Sequence, residues 1–256
     1  MGEDRHASRI EVAEEFWREE RLDPASTFKT TECVEISGSE RRSLVADVAV
    51  EERIEIVMDK ATVAELFSLP TELEELAVGF LVCEGLVNGT EDIASVRTAG
   101  RKLICESRGK KSQRDLLPIV SDLRIGPDAI FKALDRLNEG ALLWRRTGGT
   151  HSALVISEEG DVASFCEDVS RSSAVDKAVG SALLSGADLS RSALMTTGRL
   201  SSVIVSKAAR AGFPIVVSRA APLDAGIDLA RSLGMTLVAF ARRPKLYVYA
   251  GDGRIA

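Results

Sequence analysis

The residues best suited to chemistry are a cysteine, a histidine and a set of arginines. Cys105 stands ahead of Arg108, Lys110 and Lys111 in a polar stretch. Nearby cations favour the thiolate, which is the nucleophilic form of cysteine. The alternative is that Cys105 belongs to a strand over Lys102–Glu106 and only packs. A second cluster, Thr147-Gly148-Gly149-Thr150-His151, precedes a predicted strand over His151–Ser157. Paired glycines permit positive φ and a close approach of backbone to a ligand, or they form an ordinary tight turn. His151 titrates near neutrality, which suits proton transfer or ligand binding, though a lone histidine at a strand start also serves as a plain structural residue.

The arginines draw their meaning from the elements that carry them. Residues 192–197, 214–218 and 235–241 read as apolar strands, alternating with helices over 200–211 and 223–233. Such alternation implies a parallel or mostly parallel sheet with helical crossovers. Ligands of open α/β sheets sit beyond the carboxyl ends of the strands. There the three strands run into Thr197-Gly198-Arg199, Ser218-Arg219-Ala220 and Ala241-Arg242-Arg243. Arginine forks bind phosphate oxygens in pairs, and helix N-termini at the same edge add amide donors. One edge therefore reads as a site for a phosphorylated ligand, against the plainer reading of solvated loop arginines.

Upstream, residues 43–58 read as two strands. Thr71 and Glu74 fit a capping box for a helix with Leu73, Leu76, Ala77, Phe80 and Leu81 on one face, and Gly85 as its stop. A second helix spans about 128–138, and Val162–Cys166 and 245–249 read as further strands. Asp168 or Ser170 would cap the helix that follows, and Asp176 with Lys177 would form a solvated pair on it. Residues 1–30 form a charged extension in which Ile10, Ala13, Phe16 and Trp17 recur at helical spacing. Residues 31–256 make a single domain, with a strand-rich lobe over about 31–126 and an α/β lobe over about 127–256.

Composition narrows the function. The 256 residues carry 33 Lys and Arg against 39 Asp and Glu, a net charge of −6. With aromatics at 5%, that argues against a dedicated nucleic-acid binder. The longest apolar stretch, Leu76–Val87, contains Glu84 and is too short to span a bilayer. The charged N-terminus lacks the apolar core of a secretion signal, and Gly2 lacks the Ser or Thr of a myristoylation motif. The chain is expected to be cytoplasmic. The four cysteines, Cys33, Cys83, Cys105 and Cys166, form no C-x-x-C pair, and His6 and His151 are the only histidines. No metal site is expected from that inventory.

Several segments, in order, resemble the FdhD/NarQ family of formate dehydrogenase accessory sulfurtransferases. They are Glu75 to Leu81 (E-L-A-V-G-F-L) with Glu84-Gly85, T-G-G-T-H at 147–151, E-D-V-S-R at 167–171 and A-V-D-K at 174–177. Further on come T-G-R at 197–199, K-A-A-R-A-G-F-P at 207–214, A-A-P at 220–222, and T-L-V-A-F-A-R at 236–242 with Val248-Tyr249. The resemblance covers roughly residues 45–250.

It implies an α/β (α+β overall) fold of the three-layer cytidine-deaminase-like kind, without that fold's zinc chemistry. The sheet of the C-terminal part would be mostly parallel, and the N-terminal part smaller and strand-rich. It implies a sulfur carrier that takes sulfur from a cysteine desulfurase. The sulfur would pass to the molybdenum cofactor in its bis-molybdopterin guanine dinucleotide form, before insertion into formate dehydrogenase or a related molybdenum or tungsten enzyme. A homodimer is implied as well. By position, the family's cofactor-binding segment falls on Phe240-Ala241-Arg242-Arg243-Pro244-Lys245. Cys105 would carry the persulfide, with Arg108 and Lys110 stabilising its thiolate. The family's C-G-x-C-G motif appears only as Cys105-Glu106-Ser107-Arg108-Gly109-Lys110, with Arg108 in place of the second cysteine. The usual G-R-H stands as Ser170-Arg171-Ser172 and the usual S-A-P as Ala220-Ala221-Pro222. A non-catalytic chaperone of the same cofactor, or of a guanine nucleotide, is the alternative.

Overall fold

The computed structural model describes residues 24–109 and 115–256. The stretch Ile10–Trp17, whose spacing allows either a helix or a partly ordered tail, lies outside the described residues, as does Lys110. Three sheets are present. The strands β1 (Phe28–Ser37) and β2 (Glu40–Ala49) form a long antiparallel hairpin. A four-stranded sheet is built from β3 (Glu52–Met58), β4 (Ala61–Ser68), β5 (Ile93–Ala99) and β6 (Lys102–Ser107), in the order β4-β3-β6-β5. The two strands expected over residues 43–58 are thus β2 and β3, and they belong to different sheets.

The helix α1 (Leu73–Cys83) packs under the four-stranded sheet. It differs from the sequence expectation in two ways. No capping box forms: Glu72, in the left-handed region at φ 51°, precedes the first turn, and no side chain caps it. The helix is also buried on every side from Leu76 to Cys83, not along one stripe. The cause is α4 (Arg171–Leu184), which covers the side away from the sheet. The two helices touch backbone to backbone at glycines: a Cβ on Gly79 would lie 1.7 Å from the Asp176 carbonyl oxygen, and one on Gly180 would lie 2.0 Å from that of Glu75.

The larger sheet holds six strands. These are β7 (His151–Ser157), β8 (Val162–Asp168), β9 (Ser192–Thr196), β10 (Ile215–Ser218), β11 (Thr236–Arg242) and β12 (Lys245–Ala250). Their order is β12-β11-β10-β9-β7-β8. The parallel part is β9-β10-β11, joined by the crossover helices α5 (Ser202–Ala211) and α6 (Asp224–Ser232). The short loops after β7 and β11 can make only hairpins, so β8 and β12 add antiparallel edges. One face packs against α4, α5 and α6 through a core that includes Val179, Val205 and Leu237. The other packs against α2 (Pro127–Gly140) through Ile130, Leu134 and Leu137. A short helix, α3 (Leu142–Thr147), leads from α2 into β7. The architecture is mixed α/β, as the sequence implies. Among the described residues no helix is long and apolar enough to cross a membrane.

Two buried ion pairs tie α4 to its surroundings, and they correct the expectation of a solvated Asp176–Lys177 pair. Lys177 and Asp168 meet at 2.7 Å with both side chains fully buried. Asp168 also accepts hydrogen bonds from the Ser68 hydroxyl (2.5 Å) and from the Leu69 and Ser170 amides. Lys207 holds both oxygens of Asp176 at 2.9 Å and Glu84 at 2.7 Å. Burial works against the Lys207 ammonium, but Asp176, the Cys83 thiol and Glu84 outweigh it and raise its pKa. Sequence periodicity could not foresee this, because both faces of α4 are covered. Of the two expected caps, Ser170 accepts from the Ser173 amide at the start of α4.

Candidate functional site

The edge of the six-stranded sheet where β9, β10 and β11 end carries a cavity of about 690 Å³. Because β7 runs antiparallel to β9 and β8 antiparallel to β7, the start of β7 and the end of β8 reach the same edge. Five strands therefore deliver residues to one place, and α2 and α3 close the side. The lining includes Asn138, Trp144, Arg145, the run Gly148 to Ser152, Thr197, Arg219 and Arg242. Its volume falls in the range of roughly 300–1,000 Å³ typical of small-molecule sites.

Local chemistry fixes each wall. Gly148 ends α3 in the left-handed region at φ 69°, which a side chain would strain. The Thr147 hydroxyl donates to the Leu143 carbonyl (2.8 Å) and accepts from the Gly149 amide, so the Gly-Gly turn is held from within. The Thr197 hydroxyl accepts from the Ser152 amide at 3.0 Å and lies 3.2 Å from His151 Nδ1. Burial and the nearby Arg171 cation lower the His151 pKa, against a smaller opposing pull from Asp168. The imidazole is thus neutral at pH 7, with Nδ1 facing Thr197. Ser152 Oγ is buried without a hydrogen-bond partner among the described residues.

Three guanidinium groups face the cavity, and none forms an ion pair with a carboxylate among the described residues. Arg219 donates to the side-chain oxygen of Asn138. Arg145 donates to the main-chain oxygens of Asn138 and Glu139 at the end of α2. Arg242 lines the cavity at the end of β11. Three positive charges without a carboxylate partner among the described residues, around one concave surface, leave the site short of negative charge. An anionic ligand with several oxygens would supply it.

The other residues singled out from the sequence fall elsewhere. Arg199 is exposed and outside the lining. Arg243 is taken up by Asp135 at 3.2 Å and lies 5.2 Å over the Phe131 ring. Lys245 pairs across the strands with Arg242 and is exposed, and Pro244 follows a cis peptide bond in the turn between β11 and β12. Phe240 adopts φ 49°, rare for a bulky residue, at a bulge in β11. It is 42% exposed and meets the Tyr247 ring edge-on, away from the cavity lining. The same bulge turns Ala241 into the core under α2. Thr147 backs the turn from behind and does not line the cavity.

Cys105 sits within β6, 1% exposed, in the core between the four-stranded sheet and α1. Burial, and next the Asp59 carboxylate, push its pKa up to about 11. Of the two sequence readings, the packed strand residue holds and the cation-lowered thiol does not. The reason is geometric: the Arg108 side chain donates to the Ile93 carbonyl at 2.9 Å, so the charge felt at the thiol is an anion. Cys83 and Cys166 are buried as expected, and Cys33 on the hairpin is the exposed thiol. Sequence reasoning missed Asn138, Trp144 and Arg145. The signal that could have found Trp144 and Arg145 is the short helix that runs straight into the Gly-Gly turn; Asn138, near the end of α2, gave none.

Comparison with known proteins gives consistent matches. The sequence profile of the FdhD/NarQ family matches residues 49–116 and 101–256. A protein named sulfur carrier protein FdhD from Methanothermobacter thermautotrophicus is 33% identical over 252 residues, covering 90% of this chain and 99% of its own length. One of the same name from Thermoplasma acidophilum is 34% identical over 243 residues, covering 81% of this chain and 86% of its own length. A crystal structure from Desulfotalea psychrophila, provisionally described as a formate dehydrogenase accessory protein, superposes with a TM-score of 0.81 at 29% identity. That match covers 90% of this chain and all of the other.

Proposed function

The chain belongs to the FdhD/NarQ family, and from that premise we propose that it is a sulfur carrier in formate dehydrogenase maturation, with the molybdenum cofactor as its cargo. The cavity at the sheet edge takes the phosphate-bearing part of bis-molybdopterin guanine dinucleotide. The observation that carries this reading is the convergence of Arg145, Arg219 and Arg242, with no carboxylate partner among the described residues, on one cavity beside a Gly-Gly turn. A pyrophosphate offers the paired oxygens that guanidinium forks match. The neutral His151 imidazole adds a hydrogen-bonding nitrogen at Nε2 without adding charge, and the buried Ser152 hydroxyl is a further polar group at that wall.

In the sulfur step, the Cys105 thiolate attacks the terminal sulfur of a cysteine desulfurase persulfide. The donor's S–S bond breaks, a new S–S bond forms on Cys105, and the proton lost by Cys105 passes to the departing thiolate. The step is redox-neutral. Burial of Cys105 favours a second reading, in which the chain only holds and delivers the cofactor. Two measurements test these readings. Titration with GDP and with pyrophosphate examines the cavity; absence of binding to either rejects it. Intact-protein mass spectrometry after incubation with a cysteine desulfurase and cysteine examines the thiol. A reducible gain of one sulfur on Cys105 supports the carrier. No gain, beside a C-x-x-C family member that loads in parallel, selects the delivery reading.

A further inference from the structure

Glu167 accepts three hydrogen bonds from a segment that forms one wall of the cavity. Its Oε2 takes the Leu143 amide at 2.9 Å, and its Oε1 takes the Trp144 amide at 3.0 Å and the Thr150 hydroxyl at 2.9 Å. These donors lie at the two ends of the run Leu143–Thr150, which contributes Trp144, Arg145, Gly148, Gly149 and Thr150 to the lining. Glu167 is the next-to-last residue of β8, nearly buried, and pairs in register with Ser152 of β7. One carboxylate on a rigid strand thus closes a loop of chain over itself, with the Gly-Gly turn inside it.

We infer that Glu167 is a positioning residue: it holds the Trp144–Gly149 wall in the shape that binds the anionic ligand. The inference rests on the cavity being the ligand site. It gives the segment E-D-V-S-R a division of labour, with Asp168 tied into the core by Lys177 and Glu167 turned to the wall. Only a carboxylate serves, because it accepts at both oxygens. In a Glu167→Gln protein the amide nitrogen must face a backbone N–H, of Leu143 in one orientation or Trp144 in the other. The Thr150 hydroxyl can reverse its role; the backbone amides cannot.

The test combines hydrogen exchange with ligand titration on the full chain. In Glu167→Gln, amides of residues 143–151 exchange faster in the ligand-free protein, and the GDP Kd rises about ten-fold, the factor carried by one charge-assisted hydrogen bond. Ile56→Ala, in the core under the four-stranded sheet, supplies destabilisation away from the cavity and leaves both readouts unchanged. Thr150→Val moves both readouts in the same direction by less, Thr150→Ser restores them, and this pair serves if Glu167→Gln fails to fold. Unchanged exchange over 143–151 in these variants overturns the clamp. Faster exchange with an unchanged GDP Kd overturns the positioning role and leaves the cavity standing. If the unmodified chain binds neither GDP nor pyrophosphate, the cavity reading fails, and the positioning role fails with it.

Discussion

Replacing Arg219 or Arg242 with Ala should weaken GDP binding sharply, while the same change at Arg199 or Arg243 should not. All four arginines end or follow strands at one sheet edge, but the structure divides them. Arg219 and Arg242 line the cavity, Arg199 lies outside it, and Arg243 is paired with Asp135. A hydrogen bond to a charged group contributes about 1.5–3 kcal/mol, so losing one such contact raises Kd about 10- to 150-fold. Arg219 gives one donor to Asn138 and keeps the rest of its five free for a ligand. Arg219→Lys keeps the charge but not the fork, and should recover only part of the loss. Asn138→Ala leaves the guanidinium unaimed, with an expected penalty near 1 kcal/mol, about five-fold in Kd. For Arg199→Ala, exposed and outside the lining, and for Arg243→Ala, whose charge Asp135 already offsets, the change should stay within about two-fold. Isothermal titration with GDP and with pyrophosphate, at one fixed ionic strength, reads all of these. Four alanine variants with equal losses would mean a diffuse positive field, and would refute the assignment of two specific forks.

Trp144, 53% exposed on the cavity rim, offers a ring to a base. Base stacking on an aromatic is worth about 1–3 kcal/mol, so Trp144→Ala should weaken GDP by about 5- to 150-fold and leave pyrophosphate unchanged; equal losses for both ligands would count against a base subsite. Cys105, with a pKa pushed up to about 11, should resist iodoacetamide at neutral pH while the exposed Cys33 is alkylated at once; mass mapping that finds Cys105 modified first would contradict its burial. Because the His151 pKa is lowered in the folded chain, the unfolded chain binds more protons just below the ordinary histidine value of about 6.5. The stability present above that pH is therefore lost as pH falls. The urea midpoint of the unmodified chain should drop more between about pH 7.5 and pH 5.5 than that of His151→Gln, and parallel drops would reject the linkage. Lys177→Met leaves Asp168 buried without its cation, which should cost about 3–5 kcal/mol and lower Tm by roughly 10 °C; an unchanged melting curve would deny the pair its structural role.

How much of this was legible beforehand depended on the range of the interaction. Periodicity and turn residues place β7, β9, β10 and β11 and their connecting helices within a residue or two, because each is a local preference repeated along the chain. The rule that ligands gather where parallel strands end turned those elements into a predicted anion edge. The cavity, with Arg219, Arg242, Gly148, Gly149 and His151 in its lining, lies at that edge.

What the sequence determined by itself was the element order, the strand edge and the family to which the chain belongs. Tertiary structure alone decided which arginines keep their charge free, since Asp135 reaches Arg243 from 108 positions away. It decided that Asp176 and Lys177 are buried, because α1 closes over α4 at two glycines. It also set the Cys105 thiol against Asp59 and not against Arg108. Charge–charge energies depend on distance and burial in space, and residues far apart in the chain supply both.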